Sequence, residues 1–336
     1  MDNIKEKYKV DVAVLIIFFC RNKQLEKVFA EVKKARPSRL YLYQDGARAN
    51  RPDDVEGIEK CRQIVADEQI DWDCEVHRFY QTENKGCDPS EYIAQKWMFE
   101  TEEMGIVLED DDVPSQSFFP YCKDLLEKYK DDERINMICG MNNIGISKHL
   151  KDSYSFTNFG SIWGWASWRR VLDTWDGKYT WLNDKEKLSV IRSRLNKRQY
   201  KTYIDTAKKH AESGKEHYES INAAAMYLSG RLNIVPKYNM ISNIGVGMET
   251  THGVDDMRIL PKRIQNLLYM KTYEIEFPLV HPTEIKRDYK FERKMTPNGF
   301  QRFFGTIEHY LRVLKYQGFK GFLGKFKKRM QRKNKK

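Results

Sequence analysis

Along the first 140 residues, uninterrupted apolar runs alternate with stretches in which apolar residues recur every three or four positions. Val12 to Phe19 is apolar throughout, as a strand covered by helices on both faces must be. Leu25, Val28, Phe29 and Val32 then fall at helical spacing, with Asn22 placed to cap the helix and Pro37 to stop it. Leu40 to Tyr43 reads as a second strand ending in the turn Gln44-Asp45-Gly46. A third strand is expected around Cys74 to Phe79, followed by the turn Asn84-Lys85-Gly86 and a helix from about Ser90 to Glu102. Gly105 to Leu108 is the fourth strand, and Phe118, Cys122, Leu125, Leu126 and Tyr129 mark another amphipathic helix. This alternation predicts an α/β fold, a Rossmann-like and mainly parallel sheet flanked by helices.

The second half is less regular. An aromatic block, Trp163-Gly164-Trp165-Ala-Ser-Trp168, precedes a long polar helical region from about Lys185 to Ser213 and a helix from about Tyr218 to Ser229. A short strand, Leu232 to Val235, and a glycine-bearing loop, Ser242 to Gly247, lead to Thr250-Thr-His252. The expected division is a catalytic domain over residues 1–275 and an extension over 276–336.

In open α/β sheets ligands bind beyond the carboxyl ends of the strands, which directs attention to Arg21, Asp45, Lys85 and the run Glu109-Asp110-Asp111-Asp112. Four adjacent carboxylates repel one another unless a cation sits among them, and a hard divalent ion such as Mn²⁺ or Mg²⁺ would resolve that conflict while carrying a diphosphate. The plainer reading is a solvated acidic turn before a helix. An acid cluster directly after Gly-Ile-Val-Leu favours the metal.

The segment Leu108-Glu-Asp-Asp-Asp-Val-Pro114 with Ser117-Phe-Phe119 resembles the acidic motif of GT-A glycosyltransferases. Particularly similar are bacterial sugar transferases related to the animal Golgi N-acetylglucosaminyltransferase that initiates complex N-glycans. The likeness extends over roughly residues 10 to 255, and it implies a GT-A domain that transfers a sugar from a UDP-sugar, with inversion, to an acceptor hydroxyl in bacterial surface glycan synthesis. By the same resemblance either Asp111 or Asp112 ligates the metal directly, with Glu109 and Asp110 near the ribose and sugar. Arg21 would lie beside the base, Asp45 would accept the uracil N–H, and Lys85 would approach the diphosphate. Trp163, Gly164 and Trp165 would form the loop beneath the donor sugar, where the alternative is a Trp-rich core. Glu219, in the pair Tyr218-Glu219, would be the general base, with Glu216 as its competitor. His252 would add to the metal or diphosphate site.

Charge and cysteines refine this picture. The formal charge of +11 is matched by the residues after Phe300 alone, where twelve Lys or Arg face a single acid, Glu308. The rest of the chain is neutral, which argues against a nucleic-acid groove across the fold. Basic residues alternate with Phe and Leu in this tail, from Phe303 to Phe326. That pattern predicts an amphipathic basic helix against an anionic membrane, close to a glycan or lipid-linked acceptor. Six scattered cysteines and a charged N-terminus predict reduced thiols and a cytoplasmic enzyme at the inner face of the cell membrane. Two other functions remain open: a sugar-1-phosphate nucleotidyltransferase, and a non-enzymatic basic protein that binds nucleic acid or membrane. The place after the first strand, where the former usually has a glycine-rich loop, holds Cys20-Arg-Asn-Lys-Gln24.

Overall fold

The structure is a computed structural model and describes residues 6–245, 257–296 and 299–334. The continuous apolar run forms β1 (Val10–Phe18), whose residues Ala13 to Ile16 are wholly buried. Helix α1 (Asn22–Ala35) returns along the sheet with Leu25, Val28, Phe29 and Val32 inward, as their spacing requires. Arg21 rather than Asn22 occupies its N-cap, without a side-chain capping bond. Arg36, in the left-handed region at φ 48°, closes the other end by donating its N–H to Val32. Pro37 then opens β2 (Pro37–Gln44).

The chain continues through α2 (Pro52–Ile64), β3 (Glu75–Tyr80), α3 (Cys87–Thr101) and β4 (Met104–Glu109). After the short β5 (Asp112–Pro114) come α4 (Phe118–Lys128), β6 (Ile135–Cys139), β7 (Tyr154–Thr157), β8 (Trp165–Trp168) and α5 (Arg169–Leu172). Where a single polar helical region is expected, the structure has α6 (Lys185–Arg194) and α7 (Lys197–Ser213). They separate at Asn196, whose side chain caps α7 while Gln199 bonds back to it. Helix α8 (Tyr218–Ser229), β9 (Leu232–Pro236) and β10 (Ile241–Asn243) complete the central body, and a single-turn α9 (Lys262–Gln265) follows.

Eight strands form one sheet in the order β3-β2-β1-β4-β8-β6-β9-β7. Pairings β3·β2, β2·β1, β1·β4 and β6·β9 are parallel, and only β8 and β7 run against the others. The mainly parallel α/β sheet is therefore observed. Because β1 to β4 point the same way, the residues after them emerge on one edge, as βαβ connections dictate. A separate antiparallel pair, β5 with β10, folds over that edge.

After residue 275 the chain comes back to β7. His281 bonds Tyr154, Asp288 pairs with His149, and Glu292 accepts from Thr157. The stretch 276–296, assigned by the sequence to the extension, thus packs on the sheet through α10 (Tyr289–Met295) with Phe291 buried. The tail begins with helix α11 (Gly299–Asn334), which bends sharply at Gly318 (φ 68°) rather than running straight. Phe304, Leu311, Phe319 and Leu323 are exposed on it. Among the described residues no helix is long and apolar enough to cross a membrane. None of the six cysteines is in a disulfide, and Cys61, Cys122 and Cys139 are buried.

Candidate functional site

The acidic run lies where β4 ends, and its backbone forces the four side chains into different surroundings. Asp110 is buried and pairs with Arg21, also accepting from the N–H of Phe19 at 3.4 Å. Asp111 shares the same guanidinium, with Oδ2 2.7 Å from Nη1, and accepts from Asn243 Nδ2 at 2.9 Å. Asp112 is wholly buried and accepts from Asn243 Nδ2, from the Gly164 N–H at 2.9 Å and from the Glu109 N–H. It ties β4, β10 and the Trp loop together. The Glu109 carboxylate, half-buried, accepts no hydrogen bond from the described residues.

Electrostatics separate these acids further. Burial pushes the Glu109 carboxyl well above the usual carboxylate range, and Glu91, Asp112 and Asp111 push it further. Asp112 is raised for the same first reason, although its hydrogen bonds oppose the shift. Asp111 is raised by burial against the pull of Arg21. Burial works against the Arg21 charge, yet Asp110 and Asp111 overcome it and hold the guanidinium protonated. Arg21 is the only cation that the described residues bring into ion-pair distance of Asp110, Asp111 or Asp112.

Sequence reasoning missed Glu91. It sits on α3, buried, 3.3 Å from Cys87 Sγ, and burial followed by repulsion from Glu219 drives its carboxyl well above the usual range. Nothing local marks it, since Ser90-Glu91 reads as an ordinary first helical turn. Only the packing of α3 on α8 turns it toward other acids.

Glu219 lies in the first turn of α8, half-buried, beside Tyr218. The Tyr218 ring is wholly buried between Trp165 (centroids 6.2–6.5 Å from its two Trp neighbours) and Trp175. Glu219 faces a cavity of about 1200 Å³ between α7, α8 and the returning segment around α10. Glu216, its competitor, is not among the residues lining that cavity.

The Trp loop divides. Trp165 is only 2 % exposed and stacks on Tyr218, so it belongs to the core and offers no free face to a sugar, correcting its placement beneath the donor. Trp163 is half-buried. Gly164 is required at its position, because φ is +60° and a Cβ would come within 2.4 Å of Ile241.

Asp45 follows β2 and is spent on its own turn. One oxygen accepts from the N–H groups of Gly46 and Lys85 (2.9 and 2.8 Å), the other from Gly86 N–H and Asn84 Nδ2 (3.0 and 2.8 Å). These four donors fill both oxygens, so accepting a uracil N–H requires one of them to leave. The Lys85 ammonium reaches Glu83 at 3.2 Å and no residue of the acidic run. Gly245 lies against the run so closely that a Cβ would meet Asp111 Oδ2 at 1.8 Å. His252, expected beyond it, lies outside the described residues.

A divalent cation can be tested against this arrangement. The donor set is all oxygen, it carries more negative charge than Arg21 balances, and Glu109 is uncommitted, which suits Mg²⁺ or Mn²⁺. Asp112 does not suit it, since its oxygens are already taken by Asn243, Gly164 and Glu109. Among the described residues no three His, Cys, Asp or Glu side chains converge as a ready-made cage.

No family model matches the chain, and a search of curated proteins gives no match. Solved structures do show likeness. A UDP-glucose pyrophosphorylase complexed with UDP-glucose is 11% identical over 44% of this chain and 62% of its own, with a TM-score of 0.26. An apo UDP-glucose pyrophosphorylase is 10% identical over 70% of this chain and 93% of its own, with a TM-score of 0.36. The inositol-1-phosphate CTP transferase from T. maritima is 10% identical over 49% and 74%, with a TM-score of 0.30. The chain spans about three fifths of the first of these. Superposition this partial decides neither family nor activity, so the glycosyltransferase resemblance rests on its motif residues.

Proposed function

We propose that the protein is a metal-dependent glycosyltransferase that uses a nucleotide-activated sugar, by preference a UDP-sugar, and delivers the sugar with inversion to an acceptor hydroxyl in surface glycan synthesis. The observation that carries this reading is a carboxylate, Glu219, at the wall of a large cavity and within Coulombic reach of Glu91, which in turn feels Asp111 and repels Glu109 at the end of β4. Glycosyl transfer needs that pair of features: negative oxygens for a diphosphate-bearing cation, and a separate base facing the acceptor.

Mn²⁺ or Mg²⁺ would be held by Asp111 and Glu109, where it would neutralise the departing diphosphate. Arg21, already between Asp110 and Asp111, orients both carboxylates. Asp112 fixes Gly164, and with it Trp163, against the acidic run. Glu219 takes the proton from the acceptor hydroxyl. Glu91 is repelled by Glu219 on one side and repels Glu109 on the other, which links the cavity wall to the acidic run. The α11 tail, basic with exposed Phe and Leu, supports peripheral contact with an anionic membrane as the place of work, in the cytoplasm.

Sugar-1-phosphate nucleotidyl transfer, to which the names of the solved structures point, is the second reading. The segment after β1, Cys20 to Gln24, contains no glycine to cradle a triphosphate. One experiment separates the two. The full chain is incubated with Mn²⁺ and a panel of UDP-sugars, with and without pyrophosphate, alongside the Glu219→Gln variant. Glycosyl transfer gives slow release of UDP that Glu219→Gln abolishes while Mn²⁺-dependent UDP binding remains. UTP formed only with pyrophosphate, or unchanged UDP release by Glu219→Gln, would replace this reading.

A further inference from the structure

The cavity that Glu219 faces carries an unusual charge. Arg194, Arg198, Arg287 and Arg293 line it, against the acids Asp88 and Glu219. Asp88 is already paired with His217 at 2.9 Å, and Arg287 with Glu292 at 2.6 Å. The side chains of Arg194, Arg198 and Arg293 make no hydrogen bond or ion pair among the described residues. Three guanidinium groups without counter-ions, contributed by α6, α7 and α10, therefore surround one opening.

All three are exposed to solvent, where they repel one another only weakly, and an anion entering the cavity would meet them without displacing an existing counter-ion. Guanidinium presents a planar fork that matches phosphate and carboxylate oxygens two at a time. The same cavity has rings on its wall: Tyr203 and Tyr227, centroids 5.3 Å apart, and Phe159. Tyr203 is stacked on Trp181 at 5.8 Å, which holds it in place. Aromatic faces beside fixed polar groups suit the apolar face of a pyranose.

We propose that this cavity is the acceptor site and that it selects a saccharide bearing a negatively charged group, a phosphate or a carboxylate, over a neutral sugar. The anion would sit at the arginines, with Arg194 against Gly230 at the C-terminal end of α8, and the ring near Tyr227. Glu219 lies about three turns away in the first turn of α8, so the hydroxyl that reaches it belongs to a further sugar of the same saccharide. The assignment of the cavity to the acceptor rests on the reading of Glu219 given above, whereas its preference for anionic sugars rests on the arginines alone.

The test uses the full chain in excess EDTA, so that no metal-dependent diphosphate site contributes, and calorimetric titration with four probes. Glucose 6-phosphate and glucuronic acid carry the two anions, glucose carries none, and inorganic phosphate lacks the sugar. The expected result is that at least one anionic sugar binds tenfold or more tightly than both glucose and inorganic phosphate, with affinity falling as salt rises. Which of the two binds identifies the anion. The variant Arg194→Gln/Arg198→Gln/Arg293→Gln, changed only at exposed positions, should lose that binding by tenfold or more with an unchanged unfolding temperature. If this variant unfolds early, Arg198→Gln alone and the salt dependence of the unaltered protein provide the same reading. Equal binding of glucose and the anionic sugars, no binding of either anionic sugar, or full binding by the arginine variants would overturn the proposal. Each can occur whether or not the protein binds UDP with Mn²⁺, so failure here is distinguishable from failure of the donor reading.

Discussion

Replacing Arg21 by Met removes the cation that Asp110 and Asp111 share while keeping most of the apolar bulk of the side chain. Two outcomes then compete. Both carboxylates stay ionised in a buried site, which for the loss of one partner of a buried pair costs about 3–5 kcal/mol. Alternatively one of them takes up a proton, at a cost of about 1.4 kcal/mol for each pH unit above an ordinary carboxyl pKa near 3.9, hence about 4 kcal/mol at pH 7 and about 1.5 kcal/mol at pH 5. The cheaper route prevails, and burial already pushes Asp111 upward, so these figures are upper bounds. Without the opposing pull of Arg21 the folded-state pKa of Asp111 rises further above the unfolded one, so the variant loses more stability than the parent as pH rises. The expected fall in unfolding temperature is roughly 6–16 °C at pH 7 and roughly 3–6 °C at pH 5, taking about 2–4 °C per kcal/mol for a domain of this size. Thermal unfolding at the two pH values, followed by circular dichroism, measures it. Adding Asp111→Asn to Arg21→Met should restore most of the loss at pH 7. A deficit equal at both pH values, or no recovery in the double variant, would refute the reasoning that Arg21 serves as counter-ion to this pair.

Glu91→Gln should behave in the opposite sense. The raised folded-state pKa of Glu91 means that the native protein loses stability as pH rises above about 4.3, the unfolded value, toward the raised one. The variant's urea midpoint should therefore exceed that of the parent by an increasing margin between pH 5 and pH 8; a constant difference would rule out the repulsion. Asp112→Ala strands the amides of Gly164 and Glu109 and should cost about 2–3 kcal/mol in urea denaturation, whereas Asp111→Ala should weaken Mn²⁺-dependent UDP binding in calorimetry. Equal affinity for UDP in the Asp111 variant would remove that residue from the metal proposal. Gly245→Ala places a methyl group against Asp111 Oδ2, and displacement of the order of 1 Å at a reacting site can cost about a hundredfold, so turnover should fall steeply. Unaltered turnover in that variant would mean that the loop stands clear of the site. Asn196→Ala removes the box that starts α7 and should lower the unfolding temperature by about 2–4 °C, with about 1 kcal/mol lost.

The first half of the fold is legible from hydrophobic pattern. Continuous apolar runs become buried strands because both faces of a parallel sheet are covered, and the helical spacing of Leu25 to Val32 becomes α1 for the same reason. The sequence also placed Arg21, Asp45 and Glu109 to Asp112 on one edge, since strand ends of βαβ units share a side. What local pattern left unread was short or weakly periodic: α2 buries little beyond Asp54, Ile58 and Cys61, and β6 and β8 are strands of five and four residues. The tertiary structure alone decided how each acid is used. Asp45 and Asp112 are consumed by amides that arrive from distant segments, Asp110 and Asp111 share a guanidinium, and Glu91 is turned toward them by the packing of α3 on α8. Charge along a chain says which groups can interact. Whether a carboxylate is a pin, a counter-ion or a base depends on the donors and charges that reach it through space, and those come from residues many tens of positions away.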